Sequence, residues 1–235
     1  MKQPISVTVA GLSGAEERQL SVARLYNLGF TVRDQERMQR HLDEMKDIKV
    51  PRPKRPPIIF PVATWALTTA DEVAVQFDRT SGEVEIVIVD DGGELLVGIG
   101  SDHTDRALEE YNIPWSKQSA PNVMAPVLWR WSEVQEQWDS VVIESWVAER
   151  PGAEMKLYQR GSASEFWTPV EMVESVKDRL APVEGSRVFY SGTISTEQGA
   201  LDYGRVFRMR LHDPALGRSI EHEYRVTVLS EEVSE

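Results

Sequence analysis

Alternating hydrophobic and polar positions predict that this chain consists mainly of β-strands. Near the start, Ile5, Val7 and Val9 alternate with polar residues, as expected for a half-buried strand. From residue 58 onward, short apolar or alternating runs recur between clusters of turn-forming residues. These runs predict nine further strands, over residues 58–60, 73–77, 83–89, 95–99, 140–147, 155–159, 187–191, 204–212 and 220–229.

Helical spacing of apolar residues is confined to a few segments. It predicts a first helix over residues 15–28, with Gly29 as its stop, and a second over 35–45, with Asp34 as its N-cap. Two more helices are predicted over residues 105–111 and 169–180. Many strands and few helices together predict a β-rich α+β fold.

A proline-rich stretch, VPRPKRPP at residues 50–57, interrupts this pattern. Proline lacks a backbone donor and fixes φ, so the stretch is neither helix nor inner strand. We interpret it as a connector between a small N-terminal segment, residues 1–57, and a main domain, residues 58–235. Its basic residues Arg52, Lys54 and Arg55 are either solvated linker charges or an anchor for an anionic ligand.

Composition narrows the class of protein. The 235 residues are 41% hydrophobic and 27% charged, which is typical of a soluble globular protein with one substantial core. No apolar run approaches the roughly 20 residues of a membrane span, and the N-terminus lacks a signal-peptide core. The absence of cysteine excludes disulfides and thiolate chemistry and fits a cytoplasmic location. The net charge of −12 argues against nucleic-acid binding.

Three carboxylates are placed to hold a metal ion. Glu83 and Glu85 lie on one face at the start of an apolar strand, and a turn at residues 90–93 returns the chain to Asp102. Converging carboxylate oxygens suit Mg²⁺, Mn²⁺ or Ca²⁺. The alternative is a polar strand end followed by a solvated acidic turn.

Four segments carry a resemblance to a known family. They are HLDEM at 41–45, EVE at 83–85, DHTDR at 102–106, and LAPVEG at 180–185 followed by YSGT at 190–193. In these motifs and their order the chain resembles the fumarylacetoacetate hydrolase superfamily over most of residues 31–227. The resemblance implies a mixed β-sheet or β-roll core with a few flanking helices.

The resemblance also implies roles for particular residues. Glu83, Glu85 and Asp102 would hold Mg²⁺ or Mn²⁺, with Ca²⁺ as a further ion that fits such ligands. His41 and Glu44 correspond to a water-activating dyad, and their i, i+3 spacing puts them on one helix face. The resemblance also implies a catalytic role for Lys117 and substrate-binding roles for Arg106, Gly192 and Thr193.

Some positions depart from the family pattern. The segment between Glu85 and Asp102 is short, and one residue fewer separates Thr104 from Arg106, so Asp105 competes with Asp102 as third ligand. Lys117 lies about two positions from the family's lysine, and the SGTI segment at 191–194 lacks the family's proline. These departures indicate a divergent branch.

The implied function is that of a metal-dependent enzyme acting on a small-molecule carboxylic acid. The predicted reaction is C–C bond hydrolysis in a 2-oxo or 1,3-dioxo carboxylic acid through a metal-stabilised enolate. Two alternatives stay open: a lyase (decarboxylase, hydratase or tautomerase) using the same site, and a non-catalytic small-molecule binder. The resemblance further implies a homodimer.

Overall fold

The computed structural model describes residues 2–34 and 55–233. Its described part contains sixteen β-strands and three α-helices. The strands are β1 Gln3–Gly11, β2 Gly14–Gly29, β3 Ile58–Val62, β4 Leu67–Thr68, β5 Glu72–Val75, β6 Thr80–Ser81, β7 Val84–Asp91, β8 Glu94–Asp102, β9 Thr104–Asp105, β10 Asn122–Met124, β11 Val127–Arg130, β12 Val142–Ala148, β13 Lys156–Ser162, β14 Ser186–Tyr190, β15 Val206–Asp213 and β16 Arg218–Val228. The helices are α1 Arg106–Tyr111, α2 Ile113–Ser119 and α3 Pro169–Lys177.

Six of these strands close into a barrel, in the order β11-β1-β2-β14-β7-β8, with β11 pairing back onto β8. Pairing is parallel between β1 and β11 and between β2 and β14, and antiparallel elsewhere around the barrel. Strands β3, β4 and β10 extend the same sheet. One buried apolar cluster joins side chains from all six barrel strands, among them Val7, Leu20, Val89, Leu96, Leu128 and Val188.

A second sheet packs against the barrel, with strand order β13-β12-β15-β16-β5. The larger core cluster lies between the two layers and is built from the opposite faces of β7 and β8 together with the second sheet. Ile86, Ile88, Val97 and Ile99 are fully buried there, while Val87 and Val89 face the barrel cluster. Burial on both faces explains the continuous apolar run along β7.

The predicted helix over residues 15–28 is wrong: this segment is strand β2. Its residues have good helix propensity, but Leu20 and Val22 are buried alternately, and Leu25 to Leu28 are buried on both faces. β2 forms a hairpin with β1 and also pairs with β14 and β3. Hydrogen bonding to these partners overrides the helical spacing.

The other predicted elements are found close to their expected positions. All nine predicted strands from residue 58 onward correspond to strands, and the helices predicted near 105 and 169 are α1 and α3. The β-rich α+β prediction is therefore confirmed. The helix predicted over 35–45 lies outside the described residues.

The division of the chain at residue 57 stays a prediction. β1 and β2 nevertheless belong to the barrel that also contains β7 and β8, so residues 3–29 share the barrel core with the rest of the chain. None of the described helices is long and apolar enough to cross a membrane.

Candidate active site

The β7–β8 hairpin brings the three predicted carboxylates together. Glu85 pairs with Gly100 across the hairpin, and the Asp102 N–H donates to the Glu83 carbonyl at 3.1 Å. One carboxylate oxygen each from Glu83, Glu85 and Asp102 lies within 4.8 Å of the other two. We call these three residues the acidic centre.

The backbone beside the acidic centre has no room for a side chain at Gly100. A Cβ there would lie 2.6 Å from the Val123 carbonyl oxygen and 2.7 Å from the Tyr190 ring. Gly100 lies opposite Glu85 on β7 and opposite Met124 on β10. Because β10 approaches this closely, only glycine fits at this position. The close approach fixes the position from which Asp102 extends.

Two cations neutralise part of the acidic centre. Lys117, on α2, donates a hydrogen bond to Asp102 Oδ2, and its Nζ lies 3.5 Å from Glu83 Oε2. Arg106, at the start of α1, donates to Glu83 Oε1 at 3.0 Å, to Glu109 Oε2 at 2.8 Å and to Ser81 Oγ at 2.7 Å. Both cations are largely buried.

Burial and charge shift the acidic groups in different directions. Burial raises the pKa of Asp102 to about 6, against the opposing charge of Lys117. Burial and the Asp102 carboxylate raise the pKa of Glu85 well above its usual value. Burial also acts on Glu83, but Lys117 and Arg106 outweigh it and hold the pKa of that carboxyl below the usual value. The centre thus holds carboxylates whose charge is only partly compensated.

One oxygen of the acidic centre lacks a hydrogen bond. Asp102 is 0% exposed, and its Oδ1 has no hydrogen-bond partner among the described residues. Buried carboxylate oxygens are normally satisfied, and an ion bound at Asp102 Oδ1 would satisfy this one. Three hard oxygen donors with an unsatisfied lone pair fit Mg²⁺ or Mn²⁺.

The segment after β14 holds Glu85 and closes one side of the site. The Gly192 N–H donates to Glu85 Oε2 at 2.7 Å, and Ser191 Oγ accepts from the Ile86 N–H at 3.1 Å. Thr193 Oγ1 donates to the Val84 carbonyl at 2.9 Å and accepts from Gln159 Nε2 at 2.8 Å. Gly192 therefore orients a carboxylate, while Thr193 is half-buried beside it.

His103 belongs to a buried network rather than to a solvated turn. Its ring nitrogens lie 3.0 Å from Tyr224 Oη and 2.9 Å from Thr80 Oγ1, and Tyr224 Oη donates to Ser101 Oγ. Burial, together with the charge of Arg106, lowers the pKa of His103 to about 3. A neutral imidazole thus links the strand that carries Asp102 to the second sheet.

Asp105 is not part of the acidic centre. Its side chain caps α1 by accepting from the Leu108 N–H at 2.9 Å. Of the two aspartates considered as third ligand, Asp102 is the one grouped with Glu83 and Glu85. His41 and Glu44, the predicted dyad, lie outside the described residues.

A cavity of about 590 Å³ opens beside the acidic centre. Glu83, Glu85, Lys117 and Thr193 line one end of it. A larger cavity of about 850 Å³ lies between the β7–β8 turn and α3, away from all three carboxylates. Convergent charged groups identify the smaller cavity as the candidate active site.

Several residues at the site have no predicted role from the sequence. Ser81 and Glu109 both bind the Arg106 guanidinium, and only the i, i+3 spacing of Arg106 and Glu109 signals such a contact. Tyr190 is fully buried, and its hydroxyl has no partner among the described residues. Burial and the charges of Asp102 and Glu85 raise its pKa well above the usual value.

Comparison with protein families gives one match over most of the chain. The model described as "Protein of unknown function (DUF2848)" matches residues 28–224. A comparison with curated protein sequences finds no match.

Solved structures share the fold at low sequence identity. A Yersinia pestis CO92 protein assigned to the fumarylacetoacetate hydrolase family aligns at a TM-score of 0.63 and 15% identity, over 94% of this chain and all of the other. A 2-keto-3-deoxy-D-arabinonate dehydratase in its apo form gives 0.61 and 16%, over 90% and 77% of the two chains. The same enzyme complexed with magnesium and 2,5-dioxopentanoate gives 0.57 and 15%, over the same shares. The chain therefore has the fold of fumarylacetoacetate hydrolase family proteins.

Proposed function

The chain belongs to the DUF2848 family of proteins of unknown function, and from this premise we propose that it is a divalent-metal-dependent enzyme. The observation that carries the proposal is the acidic centre, whose three carboxylates converge in a buried site and leave Asp102 Oδ1 without a partner. Glu83, Glu85 and Asp102 are the residues that would hold Mg²⁺ or Mn²⁺.

Chelation supports a 2-oxo acid as the substrate. Four carboxylates, those of the acidic centre and of Glu109, face the two cations Arg106 and Lys117, so a divalent ion would neutralise the two remaining negative charges. A 2-oxo carboxylate would bind such an ion through one carboxylate oxygen and the adjacent keto oxygen. When bound, the metal would act as a Lewis acid that stabilises an enolate.

The described residues have separate tasks in this proposal. Arg106 holds Glu83 in place, and the Gly192 N–H does the same for Glu85. Lys117 is buried beside Asp102, and its ammonium is positioned to stabilise negative charge on the substrate. We also propose Arg106 as a substrate ligand, and its hydrogen bonds to Ser81, Glu83 and Glu109 fix the position of its guanidinium.

The reaction that we propose is C–C bond hydrolysis of a 2-oxo or 1,3-dioxo carboxylic acid, with His41 and Glu44 activating water. A lyase acting through the same enolate is the second candidate, and it is favoured by the dehydratases with the same fold. Assembly as a homodimer stays part of the proposal.

The test is calorimetric titration of chelator-treated protein with Mn²⁺, with and without oxalate as a mimic of the enolate. We expect a single metal site that oxalate tightens, and loss of that site in Asp102→Asn and Glu85→Gln. Asp105→Asn is the matched control, because asparagine keeps the helix cap and leaves the acidic centre intact. Metal binding unchanged in Asp102→Asn would refute the assignment.

Product analysis then separates the reactions. An acylpyruvate split into two acids indicates the hydrolase, and water addition to a 2-oxo-pentenoate indicates the lyase. Oxalate binding without turnover of any 2-oxo acid would indicate a binder instead of an enzyme.

A further inference from the structure

The geometry points to a substrate that is a monocarboxylate with an apolar tail, bound in the 590 Å³ cavity beside the acidic centre. This inference rests on the proposed function, since it concerns the substrate of the same site. It goes further by describing the part of the substrate that does not touch the metal.

The cavity has an apolar wall. Six of its lining residues have large apolar side chains: Leu28, Phe30, Val32, Phe60, Phe166 and Ile194. Leu28, Phe166 and Ile194 are buried members of the larger core cluster, so their positions are fixed by that core. The other three are half-buried and present apolar surface to the cavity. A wall of this kind favours an apolar ligand group, because binding of that group removes the apolar surface of the wall from water.

The apolar wall begins close to the acidic centre. Lys117 Nζ, which binds Asp102, lies 5.9 Å from the centroid of the Phe60 ring. A 2-oxo acid held at the carboxylates would therefore direct its third and later carbons past Phe60. The volume falls within the roughly 300–1,000 Å³ of ligand pockets, so it can hold a tail of several carbons.

The charges of the cavity disfavour a second carboxylate in the tail. Four glutamates line it, namely Glu83, Glu85, Glu109 and Glu165. The one cation among its described lining residues is Lys117, which already contacts Asp102 and Glu83. A carboxylate in the tail would lose hydration beside these glutamates, and the described lining offers no unpaired cation to replace it.

The experiment compares 2-oxo acids of equal carbon number on the Mn²⁺-loaded full-length protein by calorimetry. The matched pair is 2-oxohexanoate and 2-oxoadipate, which differ only in the terminal carboxylate. We expect 2-oxohexanoate to bind at least tenfold more tightly, and affinity to rise about threefold for each methylene from 2-oxobutanoate to 2-oxohexanoate. Equal or tighter binding of 2-oxoadipate would overturn the inference.

Three variants locate the tail. Phe60→Ala should weaken 2-oxohexanoate about tenfold and leave oxalate unchanged, since oxalate has no tail. Phe77→Ala is the control, because Phe77 is 57% exposed and does not line the cavity. Ser195→Lys adds a cation at an exposed position of the cavity lining. This variant should reduce the difference in affinity between 2-oxohexanoate and 2-oxoadipate.

The outcomes separate this inference from the function on which it rests. Metal-dependent oxalate binding with no gain from a longer tail would overturn the inference and leave the metal site standing. Failure of oxalate to bind with either Mn²⁺ or Mg²⁺ would remove both.

Discussion

Each carboxylate of the acidic centre is held by a different part of the fold. Arg106 from α1 holds Glu83, the backbone N–H of Gly192 holds Glu85, and Lys117 from α2 binds Asp102. Arg106 and Lys117 each carry a full positive charge, whereas the Gly192 N–H contributes only a dipole. The anchor at Asp102 leaves Oδ1 without a partner among the described residues, so this oxygen is available to a metal ion.

Lys117 partly takes the place of a cation in the metal-free protein. Burial lowers the pKa of its ammonium, but Asp102 and Glu83 outweigh burial and raise it above the usual value. Removing this charge leaves buried carboxylates without compensation, which costs on the order of 3 kcal/mol. Lys117 thus affects stability as well as any chemistry at the site.

We predict that Lys117→Met lowers the melting temperature of the metal-free protein by several degrees but retains Mn²⁺ binding. The added metal should recover most of the lost stability, because it supplies the missing positive charge. Thermal unfolding with and without Mn²⁺ measures both effects. The control is Lys177→Met, which removes an exposed lysine whose ion pair among the described residues is with Glu174 at i, i+3. Loss of Mn²⁺ binding in Lys117→Met would contradict this account.

At the scale of elements, the β7–β8 hairpin determines the distances within the acidic centre. Its register places Glu85 opposite Gly100 and Asp102 near Glu83. β10 pairs with the last residues of β8 and fixes the hairpin from the other side. The local sequence supplies the ligands, and the adjacent strand positions them.

Gly100→Ala tests this dependence on close strand approach. The added Cβ would meet backbone and side-chain atoms at 2.6–2.7 Å, so strands must shift, at a cost of roughly 1–3 kcal/mol. We expect a lower denaturation midpoint and weaker Mn²⁺ binding, because the shift moves Asp102. Gly29→Ala is the control, since its Cβ would lie at least 3.7 Å from every neighbour. Equal midpoints for the two variants would show that the strands adapt without cost.

At the scale of the whole molecule, the proposed metal binding would be coupled to folding. The acidic centre joins β7 to β8 at the end of the barrel, and its cations come from α1 and α2. A cation that binds only the folded chain stabilises all of these elements together. At a hundredfold excess over Kd the stabilisation is about 2.7 kcal/mol.

We predict that Mn²⁺ at this excess raises the melting temperature by roughly 5–10 °C at pH 7.5, and that EDTA reverses the rise. The effect should shrink at pH 5. Because the pKa of Asp102 is about 6, the folded metal-free protein keeps a proton below that pH, and the ion must displace it. Metal affinity then falls about tenfold per pH unit for each proton released, and the raised pKa of Glu85 adds to this fall.

The sign of this dependence follows from the raised pKa. In the metal-free protein, the Asp102 contribution to stability is present at low pH and is lost as pH rises through about 6. The metal-bound protein has the opposite dependence for this group. A metal-induced shift as large at pH 5 as at pH 7.5 would contradict Asp102 as a ligand.

The sequence by itself determined most of the longer strands and the acidic residues of the candidate site. Alternation and apolar runs reflect which faces are buried, so strands such as β7 and β8 follow from local pattern. The spacing of Glu83 and Glu85 fixes their common face in any extended strand. The Asp102 position followed from the turn between these strands.

Only the tertiary structure decided the identity of β2 and the partners of the acidic centre. Residues 15–28 have helical spacing and propensity, and pairing with β1, β3 and β14 makes them a strand. Lys117, Arg106 and Gly192 reach the carboxylates through contacts between segments distant along the chain. Local periodicity carries no information about such pairings, because they depend on how the closed barrel and the second sheet place separate elements side by side.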